Sequence, residues 1–421
     1  MSFRGYTSYF IFGTMATNCT SVLELTCPPL PVVRMAFIGL GRRGMKALDR
    51  YLHIEGTEIK VFSDLQQENL DKAHDMLARD GQRTAADCYC GPDVWKEVCQ
   101  RPDIDLIYIC TEWNSHATIA AYAMRHGKHV AVEVPAATDV ASCWNLVKTA
   151  EETRRHCLML ENCCYDAFAL TTHYMAEIGL LGDVTHCEGA YIHDLRRLFE
   201  KERHEGFQQS SWMEKNCSEH GGNPYPTHGM GPIGLLLNLH RGDRLDYLVS
   251  LTENARTHTA CGHINCTLLK TVKGRSILLT HDVTTPRPYS RSQVTCGAHG
   301  FTQKYPVATF MLEGMDIPAV DKDAEAMLKK YRHPVTARWG EEAHRRNMSN
   351  EMNYVMDCRL IYCLRNGLPL DMDVYDAAEW SCIAELSKES AQNGSRPVAI
   401  PDFTSGQWDV LARHRFHMAE K

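Results

Sequence analysis

The residues of this chain that most clearly indicate chemistry are three closely spaced glycines and an aspartate that follows them. Gly39, Gly41 and Gly44 form a G-x-G-x-x-G motif directly after the apolar run Val32 to Ile38, and Asp64 ends the next predicted strand. Such a loop lets a pyrophosphate approach the backbone at a helix N-terminus, and the acid binds a ribose 2′-hydroxyl. The motif therefore predicts a dinucleotide site that prefers NAD to NADP; the alternative is a purely structural glycine turn.

The elements that would position this motif alternate between strand and helix. A helix follows the motif to about His53. Further strands are predicted at Glu58 to Phe62, Ile104 to Cys110, His129 to Glu133 and Cys157 to Glu161, and helices at Ser115 to His126 and Asp139 to Thr153. This alternation indicates a parallel, doubly wound sheet. We assign it to a domain of residues 31–165, which follows a loose extension of residues 1–30.

Beyond about Leu180 the pattern changes to strands in close succession. These are Val184 to Ile192, Leu245 to Leu251, His263 to Val272, Ser276 to Val283 and Gln293 to Gly297, with a glycine- and proline-rich stretch from Ser210 to Gly234 and helices at Glu341 to Arg365 and Val374 to Ser387. The predicted fold class is α/β: a Rossmann domain, then an α+β domain of residues 166–421 with an open, mostly antiparallel sheet. Its last helices could pack back on the first domain.

Composition excludes several classes of function. The formal charge is −7, so the chain lacks the excess of basic residues that a general nucleic-acid binder has. It also has no apolar run long enough to predict a membrane span. The 18 cysteines include no C-x-x-C pair, so we predict no metal site and mostly buried, reduced thiols in a cytoplasmic protein. A short apolar patch, Tyr9 to Ala16, leaves periplasmic export open.

Two further segments point to a family. Glu133-Val134-Pro135 ends a predicted strand where oxidoreductases of the Gfo/Idh/MocA type usually have Glu-Lys-Pro, and the chain resembles that family throughout. In the usual members the lysine helps to polarise the hydroxyl that is oxidised, whereas here the residue is Val134. In the segment 220–232, Thr227 and Gly231 stand where relatives have an aspartate and a histidine, and His228 is the nearest ionisable group. An ordinary sugar dehydrogenase is therefore disfavoured.

With these departures, the sequence resembles one subfamily, glycoside hydrolase family 109, which comprises NAD-dependent α-N-acetylgalactosaminidases. The resemblance rests on IGLGRRG, WNSH at 113–116, EVP, ENCCY at 161–165, GAYIHDLR at 189–196, GGNPYPTHGMGP and PRPYSR at 286–291. It extends from about Pro28 to near the C-terminus.

The resemblance implies a redox route to hydrolysis, an exception to the usual pair of carboxylates. NAD⁺ oxidises the sugar at C3, a base removes the acidified C2 proton, and the C1 substituent leaves by elimination. Water then adds at C1, and NADH reduces the ketone. The cofactor is regenerated in each cycle and should stay bound.

The resemblance also assigns residues to roles. The cofactor site comprises the motif glycines with Arg42, Arg43, Asp64, Trp113, Asn114, Ser115, His116, Glu133, Val134, Asn162 and Tyr225; the sugar site comprises Tyr191, Arg196, Tyr225, Pro226, Thr227, His228 and Tyr289. His228 is the candidate for proton transfer because imidazole titrates near neutral pH. A tyrosinate from Tyr191 or Tyr289 is the alternative base, and His116 would pack at the cofactor edge.

Two other functions compete with the glycosidase. A plain NAD-dependent sugar dehydrogenase would accumulate NADH, and Val134 counts against it. A non-catalytic NAD-binding sensor would not need the proton-transfer group His228. We further expect a glycan or glycoside as the substrate, and a possible homo-oligomer that forms through the open sheet.

Overall fold

The first half of the chain forms a six-stranded parallel sheet. The computed structural model describes residues 21–79, 86–204, 212–253 and 264–419. The strands are β1 (Val33–Ile38), β2 (Thr57–Asp64), β3 (Asp87–Cys90), β4 (Leu106–Ile109), β5 (His129–Val132) and β6 (Cys157–Met159), in the order β3-β2-β1-β4-β5-β6. The helices are α1 (Arg42–Tyr51), α2 (Gln67–Arg79), α3 (Trp95–Gln100), α4 (Trp113–Arg125) and α5 (Val140–Thr153). Neighbouring strands pair in parallel, which confirms the predicted doubly wound sheet.

The second half builds an eight-stranded sheet in the order β13-β12-β11-β7-β10-β9-β8-β14. Its strands are β7 (Val184–Ile192), β8 (Leu245–Glu253), β9 (Ile264–Thr271), β10 (Ser276–Asp282), β11 (Ser290–Gly297), β12 (Gly300–Gln303), β13 (Thr309–Leu312) and β14 (Val398–Ala399). Its helices are α6 (Ala167–Glu177), α7 (Arg196–His204), α8 (Trp212–Glu219), α9 (Thr227–Leu236), α10 (Asp321–Lys330), α11 (Glu341–Arg345), α12 (Glu351–Asn366) and α13 (Val374–Gln392). β7 pairs with β10 in parallel and with β11 antiparallel, so the sheet is mixed. Its other pairs are antiparallel, which confirms the prediction of a mostly antiparallel sheet.

One prediction of local structure is wrong. The single helix predicted over Glu341 to Arg365 is broken: Asn347 takes a left-handed conformation (φ 54°), and the Asn350 side chain caps α12 by accepting a hydrogen bond from Asn353 N (3.3 Å). Asparagine tolerates both roles, which explains why the helical pattern is interrupted there. The glycine- and proline-rich stretch from Ser210 to Gly234, for which no element was predicted, contains α8 and most of α9, and residues 210 and 211 lie outside the described ranges.

Part of the predicted loose extension is packed against the fold. Val22 is buried, and its backbone N–H donates to the Tyr375 hydroxyl of α13 (3.1 Å). Leu30 N–H donates to the Leu364 carbonyl of α12 (3.1 Å). Residues 21–30 therefore belong to the folded domain, whereas residues 1–20 lie outside the described ranges.

The C-terminal helices return to the first sheet. Arg50 of α1 pairs with Asp357 of α12 through an Nε–Oδ2 contact of 2.6 Å, and the two side chains are 6% and 0% exposed. Glu385 of α13 accepts a hydrogen bond from Val140 N (2.6 Å) at the start of α5. A buried ion pair that loses one partner is strongly destabilising, so the Arg50–Asp357 pair holds α12 against α1, and the Glu385 contact joins α13 to α5.

Candidate active site

The glycine loop between β1 and α1 has the shape that a dinucleotide requires. Gly39 has φ of +90°, and a Cβ atom there would lie 2.7 Å from the Cys110 backbone; a Cβ on Gly44 would lie 2.1 Å from the Gly39 carbonyl oxygen. By contrast, a Cβ on Gly41 would meet nothing within 4 Å, and none of the described side chains caps the N-terminus of α1. The first N–H groups of α1 therefore face open space, which suits a phosphate.

Asp64 is fixed at the edge of this loop by hydrogen bonds from three sides. Its Oδ2 accepts from Leu40 N (2.6 Å), and its Oδ1 accepts from Gln66 N (2.8 Å) and Asn69 Nδ2 (3.0 Å). The carboxylate thus stands at the carboxyl end of β2 with a defined orientation, as recognition of a ribose hydroxyl requires.

An ion pair connects the loop to a later strand end, and an amide contact brings a C-terminal helix to the same place. Arg43 Nε donates to Glu133 Oε1 (2.7 Å), so one of the two motif arginines is engaged by the acid of the EVP segment. Asn162 Nδ2 donates to Asn353 Oδ1 (2.9 Å), which brings the start of α12 to the same edge. Val134 is buried beside Glu133 and offers no ionisable group.

The centre of the site is a hydrogen-bonded row of an acid, an imidazole and a phenol. Glu161 Oε1 lies 2.7 Å from His228 Nδ1, and His228 Nε2 lies 3.2 Å from the Tyr225 hydroxyl. Glu161 is fully buried, and the Cys163 backbone N–H donates to the same Oε1 (3.1 Å). This carboxylate therefore orients the ring of His228.

The row sets the protonation state of His228. Burial by itself lowers the pKa of His228, but Cys163 and Glu161 outweigh that effect and raise the pKa to about 10. Burial likewise tends to raise the pKa of Glu161, yet the nearby His228 makes the net change a lowering. The pair is therefore an imidazolium and a carboxylate at neutral pH, and His228 is a proton donor in this state.

Aromatic rings form the wall around this row. Tyr225 stacks on Trp113 (centroids 5.2 Å apart, planes at 12°), and Tyr191 lies 4.7 Å from Tyr225. The Tyr191 hydroxyl lies 3.2 Å from His193 Nδ1, and His193 in turn contacts the Tyr289 ring (5.1 Å). Trp113 belongs to the first half of the chain and the tyrosines to the second, so the wall joins the two.

A close approach of backbones brings Tyr191 and His228 together. Tyr191 is on β7 and His228 is in the first turn of α9, and their rings are 5.6 Å apart. A Cβ on Gly189 would lie 2.4 Å from the Gly229 carbonyl oxygen, and a Cβ on Gly229 would lie 2.7 Å from Ala190 N. Only glycine at both positions allows α9 to lie this close to the strand.

Two family models match this chain, one for each domain. Residues 33–161 match the family model for the oxidoreductase family with an NAD-binding Rossmann fold, and residues 165–410 match glycosyl hydrolase 109, C-terminal domain. An α-N-acetylgalactosaminidase of Bacteroides fragilis is 57% identical over 92% of this chain and 96% of its own. A glycosyl hydrolase family 109 protein of Phocaeicola vulgatus is 54% identical over 92% and 98% of the two chains.

This chain belongs to glycoside hydrolase family 109. Solved structures share its fold at low identity: an oxidoreductase domain protein from Kribbella flavida has a TM-score of 0.68 at 15% identity, covering 88% of this chain and 100% of its own. A levoglucosan dehydrogenase in complex with NADH and L-sorbose has a TM-score of 0.67 at 15% identity, with the same coverage of both chains. The cofactor of this family 109 chain is NAD, which the open N-terminus of α1 and the oriented Asp64 fit.

Other residues expected at the site have structural contacts of their own. His116 is buried, with ring nitrogens 2.8 Å from the Pro135 carbonyl oxygen and 3.0 Å from that of Thr111, so it links α4 to the EVP turn. Asn114 donates to Glu112 at the N-cap of α4, and Ser115 Oγ donates to Thr111 Oγ1 (2.7 Å).

The expected sugar-site residues differ in how close they come to His228. Pro226 is the N-cap of α9, and the buried Thr227 beside it helps to lower the pKa of Glu161. Arg196 binds Asp194 through two hydrogen bonds of 2.8 Å, so its guanidinium is oriented by its own segment. Tyr289 is 43% exposed and lies at the open side of the aromatic wall.

Sequence reasoning misses several members of the site. The sequence pattern indicates Glu161 only as the end of a predicted strand, Asn353 as part of an uninterrupted helix, and His193 as a possible neighbour of the site. Glu161 does stand two positions beyond β6, where the carboxyl edge of a parallel sheet collects functional groups, and that position is the available signal. Asn353 carries no comparable signal.

Proposed function

We propose that this chain hydrolyses terminal α-linked N-acetylgalactosamine with NAD as its cofactor. The observation that carries the proposal is the row Glu161–His228–Tyr225, which lies within the aromatic wall and beside the cofactor loop. The Bacteroides fragilis relative that bears the name α-N-acetylgalactosaminidase supports the choice of sugar.

The chain supplies an acid at His228. Bound NAD supplies a reversible oxidant for a sugar carbon. The His228 imidazolium, held by the buried Glu161, has a proton available on the side of Tyr225, where a leaving oxygen would need one. Because Glu161 stays ionised, the ring keeps its orientation after the proton has left.

The base is assigned to Tyr191 acting with His193. Burial raises the pKa of Tyr191, so this phenol is neutral by itself. Burial lowers the pKa of His193, which leaves a neutral imidazole 3.2 Å from the Tyr191 hydroxyl as an acceptor for its proton. Tyr289 touches His193 and is the alternative phenol.

The remaining expected residues hold cofactor and sugar in this proposal. The residues that would surround the NAD are Gly39, Gly41, Gly44, Arg42, Arg43, Asp64, Trp113 to His116, Glu133, Val134, Asn162 and Tyr225. Those that would contact the sugar are Tyr191, Arg196, Tyr225 to His228 and Tyr289. Arg196, fixed by Asp194, would donate to the N-acetyl carbonyl or to sugar hydroxyls.

The test follows two signals from one reaction. Purified protein is incubated with an aryl α-N-acetylgalactosaminide, and aryl release and NADH absorbance are recorded together. We expect aryl release without net NADH, and its loss when the sugar O3 is methylated. NADH accumulation without aryl release would instead make the protein a dehydrogenase.

His228→Ala separates the hydrolase from an NAD-binding sensor. We expect it to abolish aryl release and to leave bound NAD in place, because the imidazole faces the sugar and not the glycine loop. Equal loss of both would contradict the role of His228 as the acid.

Location and assembly are the last parts of the proposal. None of the helices in the described ranges is long and apolar enough to cross a membrane. The described cysteines are free and most are buried, which supports a cytoplasmic location. Leu251 and Leu268 are 59% and 49% exposed on β8 and β9, which supports a homo-oligomer through this sheet. Light scattering tests the assembly, and we expect a smaller mass for Leu268→Asp than for the wild type. Cell fractionation tests the location.

A further inference from the structure

A cavity of about 500 Å³ is lined by none of the residues expected to bind cofactor or sugar. Its walls come from the start of α6, the segment after β12 and the start of α12, and they include Phe168, Lys304, Tyr305, Pro306 and Met352. The volume lies within the range of roughly 300–1,000 Å³ that is typical of small-molecule sites.

The walls of this cavity combine apolar faces with a few polar groups. Tyr305, Pro306 and Met352 offer apolar surface, whereas Lys304 and Asn350 offer hydrogen-bonding groups. A pyranose ring has C–H faces that pack on aromatic rings and hydroxyls that need polar partners, so its surface matches this lining.

A series of ring contacts leads from the cavity to the catalytic row through Tyr289, His193 and Tyr191. The Tyr305 ring meets the Tyr289 ring edge-on (centroids 5.9 Å apart), and Tyr289 meets His193 (5.1 Å). On the other wall, Met352 precedes Asn353, whose Oδ1 accepts from Asn162. A ligand that fills both this cavity and the space beside the catalytic row would therefore extend from the row past Tyr289 to Tyr305.

The polar corner of the cavity is held rigid by a buried arginine. Arg291 is 2% exposed; its Nη2 donates to Asp166 Oδ2 (2.7 Å) and to the Tyr305 hydroxyl (3.3 Å). Lys304 also donates to Asp166, which caps α6 by accepting from Phe168 N (3.0 Å). Tyr305 is thus positioned before any ligand arrives, which reduces the entropy lost on binding.

The charges around the cavity favour a neutral ligand. Arg291 and Lys304 are cations, and Asp166 and Glu351 are carboxylates, so the four charges balance. A sulfated or sialylated sugar would find no excess positive charge among these groups.

We propose that this cavity binds the neutral sugar to which the terminal N-acetylgalactosamine is attached, with Tyr305 as its platform. The inference rests on the proposed function and deepens it by naming where the rest of the glycan binds. It makes Tyr305 a specificity-determining residue.

The experiment compares two substrates that differ only in the leaving group. One is α-N-acetylgalactosaminyl fluoride, whose leaving atom is too small to reach the cavity; the other is a disaccharide of α-N-acetylgalactosamine on galactose. The wild type, Tyr305→Ala and Tyr305→Phe are compared by kcat/KM, and their melting temperatures report folding. Tyr305→Phe is the matched control because it keeps the ring.

We expect Tyr305→Ala to lower kcat/KM for the disaccharide about tenfold, the loss of one well-packed aromatic contact. The fluoride value should stay within about twofold, and Tyr305→Phe should resemble the wild type on both substrates. Equal loss on both substrates, or a wild type that cleaves the fluoride but not the disaccharide, would overturn the cavity assignment alone. A wild type that cleaves neither substrate would overturn the proposed function and this inference with it.

Discussion

Replacement of Glu161 by glutamine tests the assignment of His228 as an imidazolium. The glutamine side chain would keep the size of the original and a hydrogen-bond acceptor 2.7 Å from His228 Nδ1, but it would remove the buried negative charge. Without that charge the pKa of His228 should fall from about 10 toward its ordinary value of 6.5. The ring would then be mostly neutral at mildly alkaline pH.

The size of the effect follows from the raised pKa. A group whose pKa is higher in the folded than in the unfolded state stabilises the folded state. This stabilisation is complete when the pH is below the unfolded-state pKa, and it is lost as the pH rises to the folded-state pKa. For His228 this window runs from 6.5 to about 10. At 1.36 kcal/mol per pH unit, protonation of His228 contributes up to about 4 kcal/mol at pH 7, similar to the cost of breaking a buried ion pair.

The assay combines unfolding and kinetics over that pH range. Urea unfolding should show Glu161→Gln less stable than wild type at pH 7 by a part of that total of about 4 kcal/mol, because Cys163 also raises the pKa of His228, and the gap should close toward pH 10. The alkaline limb of kcat/KM should move toward neutral pH, and activity at pH 8 should fall by up to about 30-fold, because a group with a pKa of 6.5 is only about 3% protonated there. Glu188→Gln is the matched control, since Glu188 lies 3.7 Å from His186 on a partly exposed surface.

An alkaline limb that does not move in Glu161→Gln would refute the reasoning, because Glu161 would then not control the proton on His228. The same conclusion would follow if Glu188→Gln moved the limb equally.

Further predictions concern the cofactor loop, the helix contact and the base. Gly41→Ala should weaken NAD binding at least tenfold in calorimetry and leave the melting temperature unchanged, since its methyl meets only open space. Gly44→Ala should also lower the melting temperature, since its methyl would lie 2.1 Å from a backbone carbonyl oxygen. Asp357→Leu should cost about 3–5 kcal/mol in urea unfolding, and adding Arg50→Met should recover most of it. Tyr191→Phe should lower kcat about 10²-fold with NAD affinity unchanged, and an equal loss of affinity would contradict its role as the base.

The cofactor half could be predicted from sequence because its signals are local. Gly39, Gly41 and Gly44 lie within six residues, and Asp64 ends the next strand, so strand–turn–helix chemistry alone places them. Strands β7 to β11 were found for a similar reason, since alternating or continuous apolar runs need no tertiary information. The short elements β3 and α3 were missed because their patterns are brief, and the break between α11 and α12 depends on two asparagines in a helical context.

The catalytic arrangement depends on contacts between distant segments. The sequence alone established that an imidazole stands in a glycine-rich segment and that acids end several strands. That Glu161 meets His228, 67 residues away, is decided by the packing of α9 on the segment after β6, where a Cβ on Gly231 would lie 2.5 Å from Glu161 Cγ. The same packing raises the pKa of His228 and makes it an acid, because burial beside a carboxylate is a property of the folded chain and not of a residue type.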